Sequence, residues 1–292
     1  MTSADKSVDK PQPVQPSQVP GLTRVERFNV RLVERWHAVP ALSRAANWLA
    51  RNFARREVEL ILHNILEDHH FERIAKANFD NGVLVCANHR SYVDNFAIAV
   101  RAMLHMPKDV RMIAPARTEG LFDKPWGIFL NFFLTGMNMY PPVVRSSRGA
   151  MWGKQVIQIL SDLLRRGRVA IFIHPEGGRN KGTDPYHLMP AKPGLGKIIH
   201  STRCDVFPVF LQGFPRKPGA FARANLRRGQ PLVHAVMGEP LDFSAERELP
   251  ASPEVYREIG RRLMDAIAEL SKEELEIRAR RSIPSSTETR GS

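Results

Sequence analysis

Residues 83–94 read Val-Leu-Val-Cys-Ala-Asn-His-Arg-Ser-Tyr-Val-Asp. Five apolar residues give way at once to polar ones, and an apolar-periodic segment, Asn95 to Leu104, follows. A short apolar run bounded in this way reads as a buried strand that leads into a helix. His89 then stands at the carboxyl end of a strand, where α/β sheets gather their ligands. Asp94 falls near the N-terminus of the next helix, where the helix dipole favours its charge. A turn of this length lets the carboxylate fold back onto one imidazole nitrogen. The other nitrogen then faces the cleft in the tautomer that accepts a proton. Ser91 caps the turn in this reading, and the bland alternative is that His89 does no more than cap a loop.

The same device recurs along the chain. Short apolar runs at Val83 to Ala87, Arg111 to Ala114, Val169 to Ile173, Val206 to Leu211 and Leu232 to Met237 are expected to be strands. Helical segments are expected between them at Asn95 to Leu104 and Trp152 to Arg165. Strands alternating with helices predict an α/β fold: a mixed sheet covered by helices on both faces. Ser252-Pro253-Glu254 supplies a cap and a first-turn proline for a last helix through Ile259, Leu263, Ile267 and Leu270.

The spacing of His to Asp at five residues is itself a weak signal, because the chain holds three examples. His63/Asp68 lies in a stretch whose pattern is helical, with no strand before it. His200/Asp205 ends a helix and enters a strand, the reverse order. Only His89/Asp94 has strand before and helix after.

A second apolar strand, Val169 to Ile173, runs into His174-Pro175-Glu176-Gly177-Gly178-Arg179-Asn180. Paired glycines let backbone N–H groups approach an anion, and an arginine adds a bidentate donor suited to phosphate. No Gly-Lys-Ser/Thr follows, so this is not a P-loop. Gly-x-Ser-x-Gly and His-Glu-x-x-His are also missing, which leaves serine-hydrolase and zincin chemistry without nucleophile or ligands.

Asn-His-x-Ser-x-x-Asp at 88–94 followed by Pro-Glu-Gly-x-Arg at 175–179, each after a strand, resembles the glycerolipid acyltransferase family. The resemblance spans roughly Phe79 to Phe243. Arg145, followed by Arg148, is similar to the basic residue of the family's second block, and Phe207-Pro208-Val209 to its fourth. His174 stands where the family usually carries Phe, and Gly178 and Asn180 stand where it carries Thr and Ser. The resemblance implies an O-acyltransferase in which His89 is the general base and Asp94 orients it. Glu176, Gly177 and Arg179, with Arg145, would hold the acceptor's phosphate, and Asn88, Ser91, Gly178 and Pro208 would support the site. It also implies an acyl-CoA or acyl-carrier-protein thioester as co-substrate and no cofactor, metal or acyl-enzyme. The acceptor expected from the family's commonest activity is lysophosphatidic acid, giving phosphatidic acid. Another acceptor (a glycolipid, a lyso-ornithine lipid or glycerol 3-phosphate) and a non-catalytic lipid-binding protein on the same fold stay open.

The net charge of +13 and pI near 10.2 call for an anionic partner. No zinc-finger spacing, RNA-binding aromatic signature or long Lys/Arg block points to nucleic acid, so an anionic membrane surface is expected instead. Leu22, Val25, Phe28, Leu32 and Trp36, and after Pro40 Leu42, Ala45, Trp48, Leu49 and Phe53, recur at helical spacing among arginines. Such a pair of amphipathic helices suits docking in a membrane interface, or packing on the catalytic domain with a solvated Arg face. There is no signal segment at the start and no spanning run; cysteines 86 and 204 read as reduced core residues. The expected location is the cytoplasmic, inner face of a membrane.

The expected organisation is a tail at 1–20, docking helices at 21–78, the α/β acyltransferase domain at 79–250, a helix at 251–281 and a second tail at 282–292. Glu67-Asp68-His69-His70 with Glu72 is read as a solvated helix end and not a metal cluster. Trp126 to Phe133 is the expected wall for an acyl chain. Lys192 and Lys197 are read first as solvated surface and second as contacts for a charged donor.

Overall fold

The computed structural model describes residues 22–119, 121–143, 149–214, 223–226 and 233–282. The two tails and Arg145 with Arg148 lie outside them. The fold is α/β, built on a seven-stranded mixed sheet. The strands are β1 (Leu66–His69), β2 (Val83–Ala87), β3 (Arg111–Arg117), β4 (Met139–Val143), β5 (Val169–Ile173), β6 (Asp205–Gln212) and β7 (Val233–Met237). Their order across the sheet is β1-β7-β6-β2-β5-β3-β4, all neighbours being parallel except the antiparallel pair β6/β7.

The central strands are apolar on both sides because both faces are covered, as continuous runs of this kind require. One face carries Leu84, Cys86, Ile171, Val206 and Phe210 and packs against α6 (Gly149–Arg166), α7 (Pro193–Ser201) and the C-terminal helix Pro253–Ser282. The other carries Val83, Val85, Ala170, Phe172 and Val209 and packs against α4 (Asp94–Met103) and the 3₁₀ turn Phe71–Lys76. Cys86 and Cys204 are buried free thiols.

Two strands depart from the expectation, and both are edges. The segment around Glu67 was expected to continue a helix from Leu22 to Ala77, with the α/β domain beginning at residue 79. Instead β1 pairs in parallel with β7, so the sheet begins at Leu66. Four residues reading Leu-Glu-Asp-His carry no apolar alternation, and an edge strand exposed along one side does not need it. At the other edge β4 reads Met-Tyr-Pro-Pro-Val. Proline removes a ladder donor and is well tolerated on such an edge, and Met-Tyr-Pro-Pro-Val offers no continuous apolar run from which a strand is read.

The N-terminal helices are α1 (Arg24–Ala38), α2 (Pro40–Leu49) and α3 (Arg55–Leu62), the last two joined by a π turn at Ala50–Ala54. Thr23 and Glu26 close a capping box on α1. These helices dock through small or short side chains, Asn29, Val30, Val33, Ser43, Ala46, Ala50 and Ala54 being buried. Several large apolar residues of the sequence pattern turn outward, Phe28 being 65% exposed, Trp48 57% and Phe53 54%, whereas Leu22 is buried and Trp36 and Leu49 are half-buried. Packing on the domain and an outward apolar face therefore coexist. No described helix is long and apolar enough to cross a membrane.

Candidate active site

The loops after β2, β5 and β3, three adjacent strands, meet at their carboxyl ends. Asp94 is the first residue of α4 and is buried. Its Oδ2 accepts from the Arg90 and Ser91 backbone N–H groups, each at 2.7 Å, and from His89 Nδ1 at 3.0 Å. Ser91 Oγ accepts from the Val93 N–H at 3.3 Å, closing the turn. A carboxylate that only accepts makes Nδ1 the protonated nitrogen of His89, so Nε2 carries the lone pair.

The loop after β5 fastens the His89 backbone from both sides. The His89 N–H donates to Glu176 Oε1 at 2.9 Å, and its carbonyl accepts from the Asn180 N–H at 2.7 Å. Glu176 is buried, and its Oε2 accepts from the Met189 N–H at 3.2 Å. Both of its oxygens are thus spent on backbone donors, a bracing position. Asn88, fully buried, gives and takes one bond each with the Leu211 backbone at 3.0 and 2.9 Å, locking the end of β2 to β6. Pro208 lies within β6 opposite Cys86, behind the loop and not at its mouth.

Gly177 has φ +65°, and a Cβ there would lie 2.7 Å from Lys192 Cγ, so the turn needs glycine. The Gly177 carbonyl accepts from Arg117 Nη2 at 2.7 Å, and a Cβ on Gly178 would meet the same guanidinium at 2.5 Å. Arg179 lies over the Tyr92 ring, 3.6 Å from its centroid, and donates to the Tyr92 hydroxyl at 2.7 Å. His174 stacks on His89 with centroids 3.8 Å apart and planes 4° from parallel. Its Nδ1 donates to the Ala87 carbonyl at 2.9 Å, which fixes its tautomer too.

The electrostatics keep His89 neutral. Burial, then the Arg179 and Arg117 guanidiniums, hold it down to about 4. Burial and the neighbouring His89 hold His174 down to about 4 as well. Burial pushes Asp94 up to about 6 against the pull of His174, the Ser91 and Arg90 N–H groups and Arg179. Burial likewise raises Glu176 above the ordinary carboxylate range. Near neutrality the pair is a neutral imidazole on a carboxylate.

His89, Asp94, Asn88, Ser91, Glu176, Gly177, Gly178 and Arg179 thus converge. Arg117 and Tyr92 join them, and neither is singled out by the sequence: Arg117 sits three residues past the end expected for β3, and Tyr92 is an unspecified position within 88–94. The two other His/Asp spacings are structural. Asp68 pairs with Arg101 at 3.2 Å, His200 bonds the Leu249 carbonyl and Asp205 bonds the Asn78 N–H. Lys192 contributes its stem to the packing on Gly177 while remaining exposed, and Lys197 is exposed.

Two apolar hollows lie among the described residues. One of about 50 Å³ lies under α4 and is lined by Phe96, Met103, Met112, Ala114, Leu134 and Met139. The other, about 700 Å³, lies between α1 and α5 (Gly127–Thr135), with Phe28, Leu32, Trp36, Phe129, Phe132 and Phe133 among its walls. Trp126, Phe129 and Phe133 therefore open toward solvent beside α1, and it is Leu134 and Thr135 that border the smaller hollow.

A neutral imidazole held by a buried carboxylate, next to a glycine turn and two guanidiniums, can accept a proton beside groups that attract an anion. Residues 65–212, just over half of the chain, match the model of the acyltransferase family, and the protein belongs to that family. Acyl transfer is the class of its chemistry. The match begins at β1, in agreement with the sheet rather than with a boundary at residue 79.

Proposed function

We propose that the protein transfers a fatty acyl group from an acyl thioester, acyl-CoA or acyl-carrier protein, to the hydroxyl of a lysophospholipid, with lysophosphatidic acid as the acceptor. The observation that carries this reading is the His89–Asp94 pair beside Arg179 and Arg117 at the carboxyl ends of adjacent strands. His89 Nε2 takes the proton of the acceptor hydroxyl as its oxygen attacks the thioester carbonyl carbon. The tetrahedral adduct then expels the thiolate, which recovers the proton from the imidazolium. One C–O bond forms, one C–S bond breaks, and the step needs no cofactor. Asp94 stabilises the transient charge on His89. Arg179 and Arg117 supply bidentate donors for the phosphate, with Gly177 and Gly178 keeping the approach open; Arg145 is assigned to the same phosphate from its sequence block. Positioning of two substrates contributes the rest of the rate. The hollow under α4 suits the acyl chain, because three of its walls are methionines that can shift as it fills.

The enzyme works, in this reading, on the inner, cytoplasmic face of a membrane. Exposed Phe28, Trp48, Trp126, Phe129 and Phe133 enter the interface, and the basic chain meets anionic headgroups. The test is an acceptor panel on the purified protein with one acyl-CoA, products identified by mass spectrometry. Lysophosphatidic acid is expected to be acylated in preference to a glycolipid, a lyso-ornithine lipid or glycerol 3-phosphate. Preference for an acceptor without phosphate would overturn the assignment of the arginines.

A further inference from the structure

Edge strand β1 brings together a second set of titratable side chains that the reaction does not use. Alternate residues of a strand share a face, so Glu67 and His69 project on the same side. The register then sets His234 of β7 directly beside Glu67. His234 and Val236 face the core beneath the C-terminal helix, where Val236 packs with Ile267 and Leu270. Gln212 of β6 is level with His234, three residues beyond Val209, which pairs with Ala87 at the end of β2. The cluster therefore lies at the same end of the sheet as the candidate active site. It is two to three strands, or roughly 10–15 Å, to one side.

Three ligand side chains converge there. His69 Nε2 and His234 Nδ1 are 3.4 Å apart. Glu67 Oε1 is 3.9 Å from His69 Nε2, and Glu67 Oε2 is 3.8 Å from His234 Nδ1. A zinc ion holds N and O ligands at about 2.0–2.2 Å in a tetrahedron, which separates neighbouring ligand atoms by roughly 3.3–3.6 Å. The two histidines already have that spacing, and the carboxylate reaches it by closing a few tenths of an ångström. Two imidazoles with one carboxylate suit zinc-class ions over calcium or magnesium, which prefer oxygen. The His234 side chain is 2% exposed, while those of His69 and Glu67 are 18% and 25% exposed. An ion can therefore enter from the edge and keep a water as its fourth ligand. We propose that Glu67, His69 and His234 bind one divalent transition ion of the zinc class, which pins β1 to β7. Among the described residues β1 pairs with β7 alone, through four residues, so such a tie holds an edge strand to its neighbour. The site is independent of the acyl-transfer reading.

The test is calorimetric titration of the full chain, stripped with chelator, with Zn²⁺ and separately with Mg²⁺ and Ca²⁺. One Zn²⁺ per chain with a micromolar or tighter Kd is expected, and no binding of Mg²⁺ or Ca²⁺. At about 100 times Kd, saturation should raise Tm by roughly 5 °C. His69→Gln and Glu67→Gln, at partly exposed positions, should each weaken Zn²⁺ binding at least tenfold and remove the Tm rise. Their metal-free Tm should match the wild type, which separates lost ligation from lost folding. His89, Asp94 and His174 also bring three donors together, so His89→Ala is the control and should bind Zn²⁺ as the wild type does. No Zn²⁺ binding by the wild type, undiminished binding in His69→Gln, or loss in His89→Ala alone would each overturn the proposal.

Discussion

Replacing Asp94 with asparagine keeps the shape of the turn and removes its charge. In the wild type, Asp94 Oδ2 holds His89 Nδ1 at 3.0 Å in a buried setting. When His89 takes the acceptor's proton it becomes an imidazolium whose charge centre is about 4 Å from that of the carboxylate. At an effective dielectric constant near 20, such a pair is worth about 4 kcal/mol. Asparagine forfeits most of it in the transition state and little of it in the ground state, where His89 is neutral. At about 1.4 kcal/mol per decade, kcat should fall by roughly 10³-fold with KM nearly unchanged. The assay is continuous detection of released thiol with a long-chain acyl-CoA and the preferred acceptor, beside circular dichroism to show that the variant is folded. A folded Asp94→Asn protein within tenfold of wild-type kcat would refute the role given to Asp94.

Four further outcomes follow from the geometry. Protonation of Asp94 or His89 disables the base, so kcat/KM should be full near neutrality, decline as pH falls through about 6 and vanish toward about 4. Arg117→Gln removes a charge that depresses His89, so the lower part of this acid limb should move to higher pH; a pH–rate profile with an unmoved limb contradicts the assignment. Asn88→Ala strands the buried Leu211 N–H and C=O, and should cost about 2–5 kcal/mol in urea unfolding; a loss under 1 kcal/mol would mean that Asn88 is no lock. Phe28→Ser with Phe129→Ser and Phe133→Ser, all exposed, should weaken sedimentation with anionic vesicles without lowering Tm, whereas unchanged vesicle binding would count against membrane docking. Deleting residues 21–60 is not an equivalent test, because Val30, Val33, Ala46 and Ala50 are core.

The core strands were legible because burial on both faces makes them continuous apolar runs, and β2 and β5 begin and end where those runs do. The last helix was legible from Ser252 and Pro253 alone, since capping is a local interaction. Edge strands were not: β1 is stabilised by β7, which lies more than 160 residues away, and its own residues are charged. The outward turn of Phe28 and Trp48 was one of two arrangements that the sequence left open. Apolar periodicity reports that a helix has two faces, whereas the small residues Ala46 and Ala50 decided which face packs. At the site, His89, Asp94 and the glycine turn stood out because each follows a strand. Arg117 and the His174 stack are products of strand adjacency, β5 lying between β2 and β3, and adjacency is not written in any local spacing.

The central claim is that the Nε2 nitrogen of His89 removes the acceptor's proton. It is tested most directly by His89→Ala, a change that leaves the backbone bonds to Glu176 and Asn180 in place. With thioester and acceptor both saturating, turnover should fall by about 10²–10⁴-fold, the usual contribution of a positioned base. Full turnover by a folded His89→Ala protein would contradict the account.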